Sequence, residues 1–96
     1  MIRSFGNRLA EDLFHDRPTG VTRRFPSELR RAAQRKLQYL NAAVRLRDLA
    51  VPPGNRLETL KGDRRGFHAI RTNDQWRIVF RWEDDGVTGV EVTDYH

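Results

Sequence analysis

The triplet Asp94-Tyr95-His96 at the end of the sequence holds side chains suited to proton transfer and to nucleotide stacking. His96 is of the one side-chain type that titrates near neutrality without help. Tyr95 can stack on a base or donate a proton. Lys61, Arg71 and Arg77 lie upstream in segments that alternate like strands. In an antiparallel meander they can converge with Tyr95 on one sheet surface. Phosphodiester cleavage needs such a set: a base for the attacking 2′-hydroxyl, cations for the developing charge and an acid for the leaving oxygen. Pattern alone also admits a plainer reading, with Tyr95 packed on the sheet and His96 at a frayed end. Other chemistries find less support. The three histidines, at 15, 68 and 96, show no metal-ligand spacing, and there is no cysteine. No glycine-rich phosphate loop or nucleophile elbow occurs.

Two kinds of element must position these groups. Leu29, Ala32, Ala33, Leu37, Leu40 and Val44 recur at helical spacing, which predicts a helix from about Ser27, as N-cap, to about Leu46. Its other side carries Arg30, Arg31, Arg35, Gln38 and Arg45. Asn7 to Phe14 reads as a short helix, Met1–Phe5 as a short strand, and residues 15–20 as a break. After Val51-Pro52-Pro53-Gly54-Asn55 the period changes from 3.6 to 2. Strands are expected over 56–60, 67–72, 75–82 and 88–95, joined by turns at 62–66, 73–74 and 83–86. Trp76, Ile78 and Phe80 should face the core, opposed by Leu37, Leu40 and Val44. The expected architecture is α+β in two layers, N-terminal helices on a mainly antiparallel sheet, with one domain over 1–96.

Charge is sorted along the 96 residues, whose net charge is +5. Residues 23–47 sum to +7 and 56–81 to +4, whereas 82–96 hold five acids and no Lys or Arg. Sixteen of the 18 basic residues are arginine, whose planar fork grips phosphate bidentately. A basic middle beside an acidic end is the footprint expected of a polyanion binder. The N-terminus lacks the apolar stretch of a signal peptide, and no apolar run is long enough to span a membrane. The absence of cysteine fits a cytoplasmic setting.

Several segments stand in a recognisable order: Leu60-Lys61-Gly62-Asp63-Arg64, Gly66 to Arg71, Asn73-Asp74-Gln75-Trp76-Arg77-Ile78, and Val92-Thr93-Asp94-Tyr95-His96. Together with Pro52-Pro53-Gly54-Asn55-Arg56-Leu57 and the opening Met1 to Phe5, they resemble the HigB branch of the RelE/ParE toxins. The resemblance implies a type II toxin that cuts mRNA on the ribosome without metal or cofactor. It implies neutralisation by a HigA-like antitoxin with a helix-turn-helix domain, the complex binding operator DNA through that antitoxin. Carried over by position, Asp94, Tyr95 and His96 match the family's C-terminal catalytic motif, with Lys61 and Arg77 as phosphate-directed cations. Arg71 is a looser match for RNA binding. Glu58 stands where some members carry a catalytic histidine; a carboxylate can act as base but repels phosphate. Two other readings are a gyrase poison, against which the terminal triplet argues, and a module of the same fold that binds without cutting.

Overall fold

The computed structural model describes residues 1–94. Tyr95 and His96 lie outside the described residues.

The C-terminal half folds as four strands: β1 (Glu58–Thr59), β2 (His68–Arg71), β3 (Trp76–Glu83) and β4 (Gly86–Asp94). They form one antiparallel sheet in sequence order. The turns fall where the polar and glycine clusters predict. The N-terminal residues add to the far edge by parallel bridges, Ile2 to Val87 and Phe5 to Val90. Gly86 permits this approach. Its φ is +148°, and a Cβ there would lie 2.5 Å from Arg3 Cγ and 2.7 Å from the Met1 carbonyl oxygen.

Of three helices, α1 (Arg8–Phe14), α2 (Gly20–Arg24) and α3 (Arg30–Ala42), the first and third share the sheet's core and α2 packs on α1. Seven residues are too few for α1 to stand alone. Asn7 secures it: its Oδ1 accepts from the Ala10 amide (3.0 Å), and its Nδ2 donates to the Val92 carbonyl in β4 (3.0 Å). α2 follows the expected break, started by a reciprocal cap between Thr19 and Thr22. The strict alternation of β3 puts Ile78 and Phe80 into the core with Leu37 and Leu40 of α3, as the periodicity predicts. Trp76 packs at the margin, its ring 4.9 Å from that of Phe25.

The long helix departs from expectation at both ends. Ser27 does not cap it; residues Ser27–Leu29 form a 3₁₀ turn, and the cap position, Leu29, offers no side-chain bond. The helix stops at Ala42 rather than near Leu46. The Asp48 carboxylate accepts from the Val44 (3.2 Å) and Arg45 (2.9 Å) amides and draws the chain into a second 3₁₀ turn, Leu46–Ala50. Val44, expected in the core, is therefore 82% exposed, and Leu49 is buried instead. Those two amide bonds, Arg45's first, hold the Asp48 carboxyl below the usual carboxylate range.

Candidate nucleic-acid interface

The face of the sheet turned away from the helices carries the side chains of opposite parity. Along β3 these are Arg77, Val79 and Arg81. Val79 joins Leu60, Ala69 and Phe67 in a small second apolar cluster. Around it the face is charged.

Register decides which predicted residues meet. Arg71 and Arg77 are direct cross-strand partners in the row nearest the β2–β3 turn, with Thr93 completing the row on β4. Glu58 pairs with Ala69, so it lies on the same face, two rows along. Asp94 pairs with Trp76 and thus has the other parity, although it stands at the same end of the sheet. Lys61 stands beyond β1, next to the Leu60–Phe67 pairing, at the opposite end of the sheet from Arg71 and Arg77. The expected convergence of Lys61, Arg71 and Arg77 is therefore met by the two arginines, with the lysine set apart by the hairpin register. The expected roles of Tyr95 and His96 lie outside the described residues.

The β2–β3 turn organises the arginine pair. The Asn73 Oδ1 accepts from the Gln75 (3.0 Å) and Trp76 (2.7 Å) amides and closes the turn. The Arg77 guanidinium donates to the carbonyls of Asn73 and Trp76. Arg71 pairs with the exposed carboxylate of Asp74. Gln75 donates to the Asp94 carboxylate (2.9 Å), which ties the turn to the end of β4.

A support beneath this row was not foreseen from sequence. Lys36 of α3 donates to the Arg71 carbonyl (2.7 Å) and to the Asn55 Oδ1 (2.7 Å). Asn55 is 1% exposed, and its Nδ2 donates to the carbonyls of Leu49 (3.1 Å) and Val51 (3.3 Å). One ammonium thus joins helix, proline-rich turn and β2. Burial, then Arg35 and Arg71, lowers the Lys36 pKa. Lys36 stands three residues after Ala33 and four before Leu40, on the apolar side of the helix, and that misplaced cation was the available signal.

The other titratable groups have structural settings. His68 is on the helix-facing parity, its Nδ1 3.1 Å from Thr59 Oγ1, and burial lowers its pKa. Asp12 is buried; the Thr19 hydroxyl bond (2.8 Å) is the main influence holding its carboxyl low, with Arg8 and Arg17 adding to it. Among the described residues no group of His, Asp and Glu could hold a metal ion. No described helix is long and apolar enough to cross a membrane.

Chemically, two guanidiniums opposed on adjacent strands are a pair of the kind that an anion can bridge. Cross-strand partners stand about 5 Å apart at Cβ, and like charges at that spacing repel unless an anion lies between them. The Arg71–Asp74 contact is weak competition, since surface pairs contribute about 0–1 kcal/mol.

Comparison with known proteins places the chain in a family. The chain is 39% identical over 84 residues to "Toxin HigB-1" of Vibrio cholerae, covering 88% of this chain and 86% of that one. It is 31% identical to "Endoribonuclease HigB" of Proteus vulgaris, with full coverage of both. Among solved structures, the YoeB–YefM complex from Staphylococcus aureus contains a chain that superposes with a TM-score of 0.61. That match has 15% identity and covers 100% of this chain and 98% of the other, which shows the common fold. The family model for the RelE-like toxin of the type II toxin–antitoxin system HigB matches residues 3–96, and the chain belongs to that family of toxins.

Proposed function

We propose that this toxin is an endoribonuclease that cleaves mRNA on the ribosome and is held inactive by a HigA-like antitoxin. The observation that carries the reading is the Arg71–Arg77 row: two guanidiniums in direct register on the sheet face turned away from the helices of a HigB-family chain. A single strand of RNA would lie across that face. The endoribonuclease name of the P. vulgaris relative supports the same reaction.

In this mechanism Arg77 and Arg71 bind the scissile phosphate and stabilise the charge that grows on it during in-line attack by the neighbouring 2′-hydroxyl. His96 transfers a proton, which is typically worth about 10²–10⁴-fold in rate. Asp94 orients that end of β4, and Tyr95 stacks on the nucleotide at the cleavage point. Glu58, on the same face as the arginines, serves as base for the 2′-hydroxyl. Lys61 supplies positive charge at the far end of the RNA's path. No cofactor enters the scheme. A helix-turn-helix antitoxin would mask the toxin and carry the complex to operator DNA, leaving the toxin without DNA contacts of its own. The work is done in the cytoplasm, where ribosomes and message are found.

The test is in-vitro translation with primer extension on the message. Wild-type protein should give discrete cuts that require ribosomes. His96→Ala should abolish the cuts while far-UV circular dichroism and antitoxin co-purification persist. DNA breaks in the presence of gyrase, or no cleavage at all, would refute the reading.

A further inference from the structure

The outer face of the sheet carries a second cationic site about four residues along β3 from Arg77. Phe67 is half-buried there, resting on Leu60, Ala69 and Val79. Two guanidiniums sit over its ring: Arg81 Cζ is 4.7 Å from the centroid and Arg64 Cζ is 5.3 Å from it. The two arginines are not equivalent. Arg64 is neutralised by a bidentate pair with Glu91 (2.8 and 3.0 Å), which also raises its pKa. Arg81 is exposed and has no carboxylate partner among the described residues.

Two glycines border the platform. Gly66 (φ +93°) and Gly89 (φ +62°) flank it, and both occupy conformations that L side chains rarely adopt. A Cβ at Gly89 would lie 3.6 Å from the Phe67 ring, and one at Gly66 would lie 3.8 Å from Arg81 Nη2. Nothing in the fold requires an exposed, unpaired guanidinium above a ring. An aromatic ring carrying such a planar cation is, however, a standard support for an unpaired base, which stacks on either plane.

We propose that Phe67 and Arg81 form a second nucleotide subsite, in which an unpaired RNA base stacks on the Arg81–Phe67 platform. Arg64, fixed by Glu91, serves as the platform's rigid side. The inference rests on the RNA-cleaving reading above. Four residues of strand span about 13 Å, close to four stacked nucleotide steps of 3.4 Å. A strand with its phosphate at Arg71 and Arg77 therefore reaches Phe67 within the same few nucleotides. Charge favours RNA over an acidic peptide here, because stacking and phosphate contact are both available.

The test uses a fluorescein-labelled, 2′-O-methylated octauridylate, single-stranded and resistant to cleavage, titrated by fluorescence anisotropy over a salt series. Phe67→Leu preserves apolar packing but removes the ring, and it should weaken binding by about five- to 150-fold, the range for one base–aromatic stack. Its salt slope should match wild type, because no charge is lost. Arg81→Gln should weaken binding and flatten the slope by about one ion. Arg81→Lys should fall short of wild type, since charge without a plane does not stack. Circular dichroism spectra should coincide for all variants. Phe67→Leu binding within about twofold of wild type, or full affinity in Arg81→Lys, would overturn the subsite. If Arg77→Gln alone then weakens binding, the cleavage reading stands and only the subsite falls. If wild-type protein does not bind the octamer, or Arg77→Gln has no effect either, both fall.

Discussion

Replacing Lys36 with Met keeps the length and apolar stem of the side chain and removes its three donors. The wild-type ammonium makes two bonds of 2.7 Å, to Asn55 Oδ1 and to the Arg71 carbonyl. Hydrogen bonds from charged donors contribute about 1.5–3 kcal/mol each, and a buried acceptor left unpaired costs about 1–3 kcal/mol. Asn55 is the buried partner; its Oδ1 would face the methionine thioether with no donor. Two effects oppose the loss. Met avoids the desolvation cost that lowers the lysine pKa, and Lys36 is only partly buried, so water competes for its bonds. The net expectation is a destabilisation of about 2 kcal/mol, which for a chain of this size lowers the melting temperature by about 8–16 °C.

The pH dependence has a defined sign. With the folded pKa lowered, the unfolded chain binds more protons between that value and the ordinary lysine value of about 10.4, so wild-type stability rises with pH across the window. The gap between wild type and Lys36→Met should therefore widen from neutral to alkaline pH. Thermal melts by circular dichroism at several pH values measure both quantities. A melting temperature lowered by under about 3 °C would refute the view that Lys36 is a strut beneath the arginine row, and a gap that narrows with pH would refute the lowered pKa.

Two further outcomes separate core from surface and acid from neutral conditions. Leu40→Ala should cost about 2–5 kcal/mol because Leu40 is fully buried, whereas Val44→Ala should stay within about 0.5 kcal/mol; urea titration distinguishes them. Asp12 has a lowered pKa, held down first by the Thr19 hydroxyl. Its contribution is therefore complete above the ordinary carboxylate value of about 3.9 and is lost as pH falls through the lowered one. Acid titration of Asp12→Asn should lack that part of the wild-type transition.

The strands were legible because their signal is local. Trp76, Ile78, Phe80 and Trp82 alternate with Arg77, Val79 and Arg81 between two turn clusters, and the β2–β3 register follows that parity, whereas the β3–β4 register shifts by one residue between Val79 and Arg81. The end of the helix was not legible from spacing, because Val44 keeps the 3.6 period while Asp48, four residues later, supplies a competing acceptor for the Val44 and Arg45 amides. A carboxylate that captures backbone donors overrides apolar spacing where the next turn still buries a leucine, here Leu49. At the candidate site, Arg71 and Arg77 could be placed together because they bracket one short turn. Lys36 could not, since its partners lie 19 and 35 residues away and only the packing of α3 on β2 brings them near. The Phe67 platform was hidden for a similar reason, as Arg64, Phe67, Arg81 and Glu91 meet only through strand pairing.

β3 gives the molecule its division of labour. Its even-numbered residues from Trp76 to Trp82 contribute to the core that fastens sheet to helices, and its odd-numbered residues Arg77 and Arg81 stand on the outer face at the two cationic sites. A slip of one residue would exchange the sets, burying guanidiniums and exposing tryptophan, so the burial that stabilises the fold also enforces the placement of charge. The cost falls on the outer face, where Arg71 opposes Arg77. The fold tempers that cost locally, through the carbonyls of the β2–β3 turn on one arginine and the exposed Asp74 carboxylate on the other. The Asp74 carboxylate is exposed, so its pair with Arg71 is one that a phosphate can displace at low cost. The same contrast recurs at the other end of the face, where Glu91 immobilises Arg64 and leaves Arg81 available. Each end thus combines a fixed element with a cation that an RNA strand can claim, and the rigid register of β3 sets the distance between them.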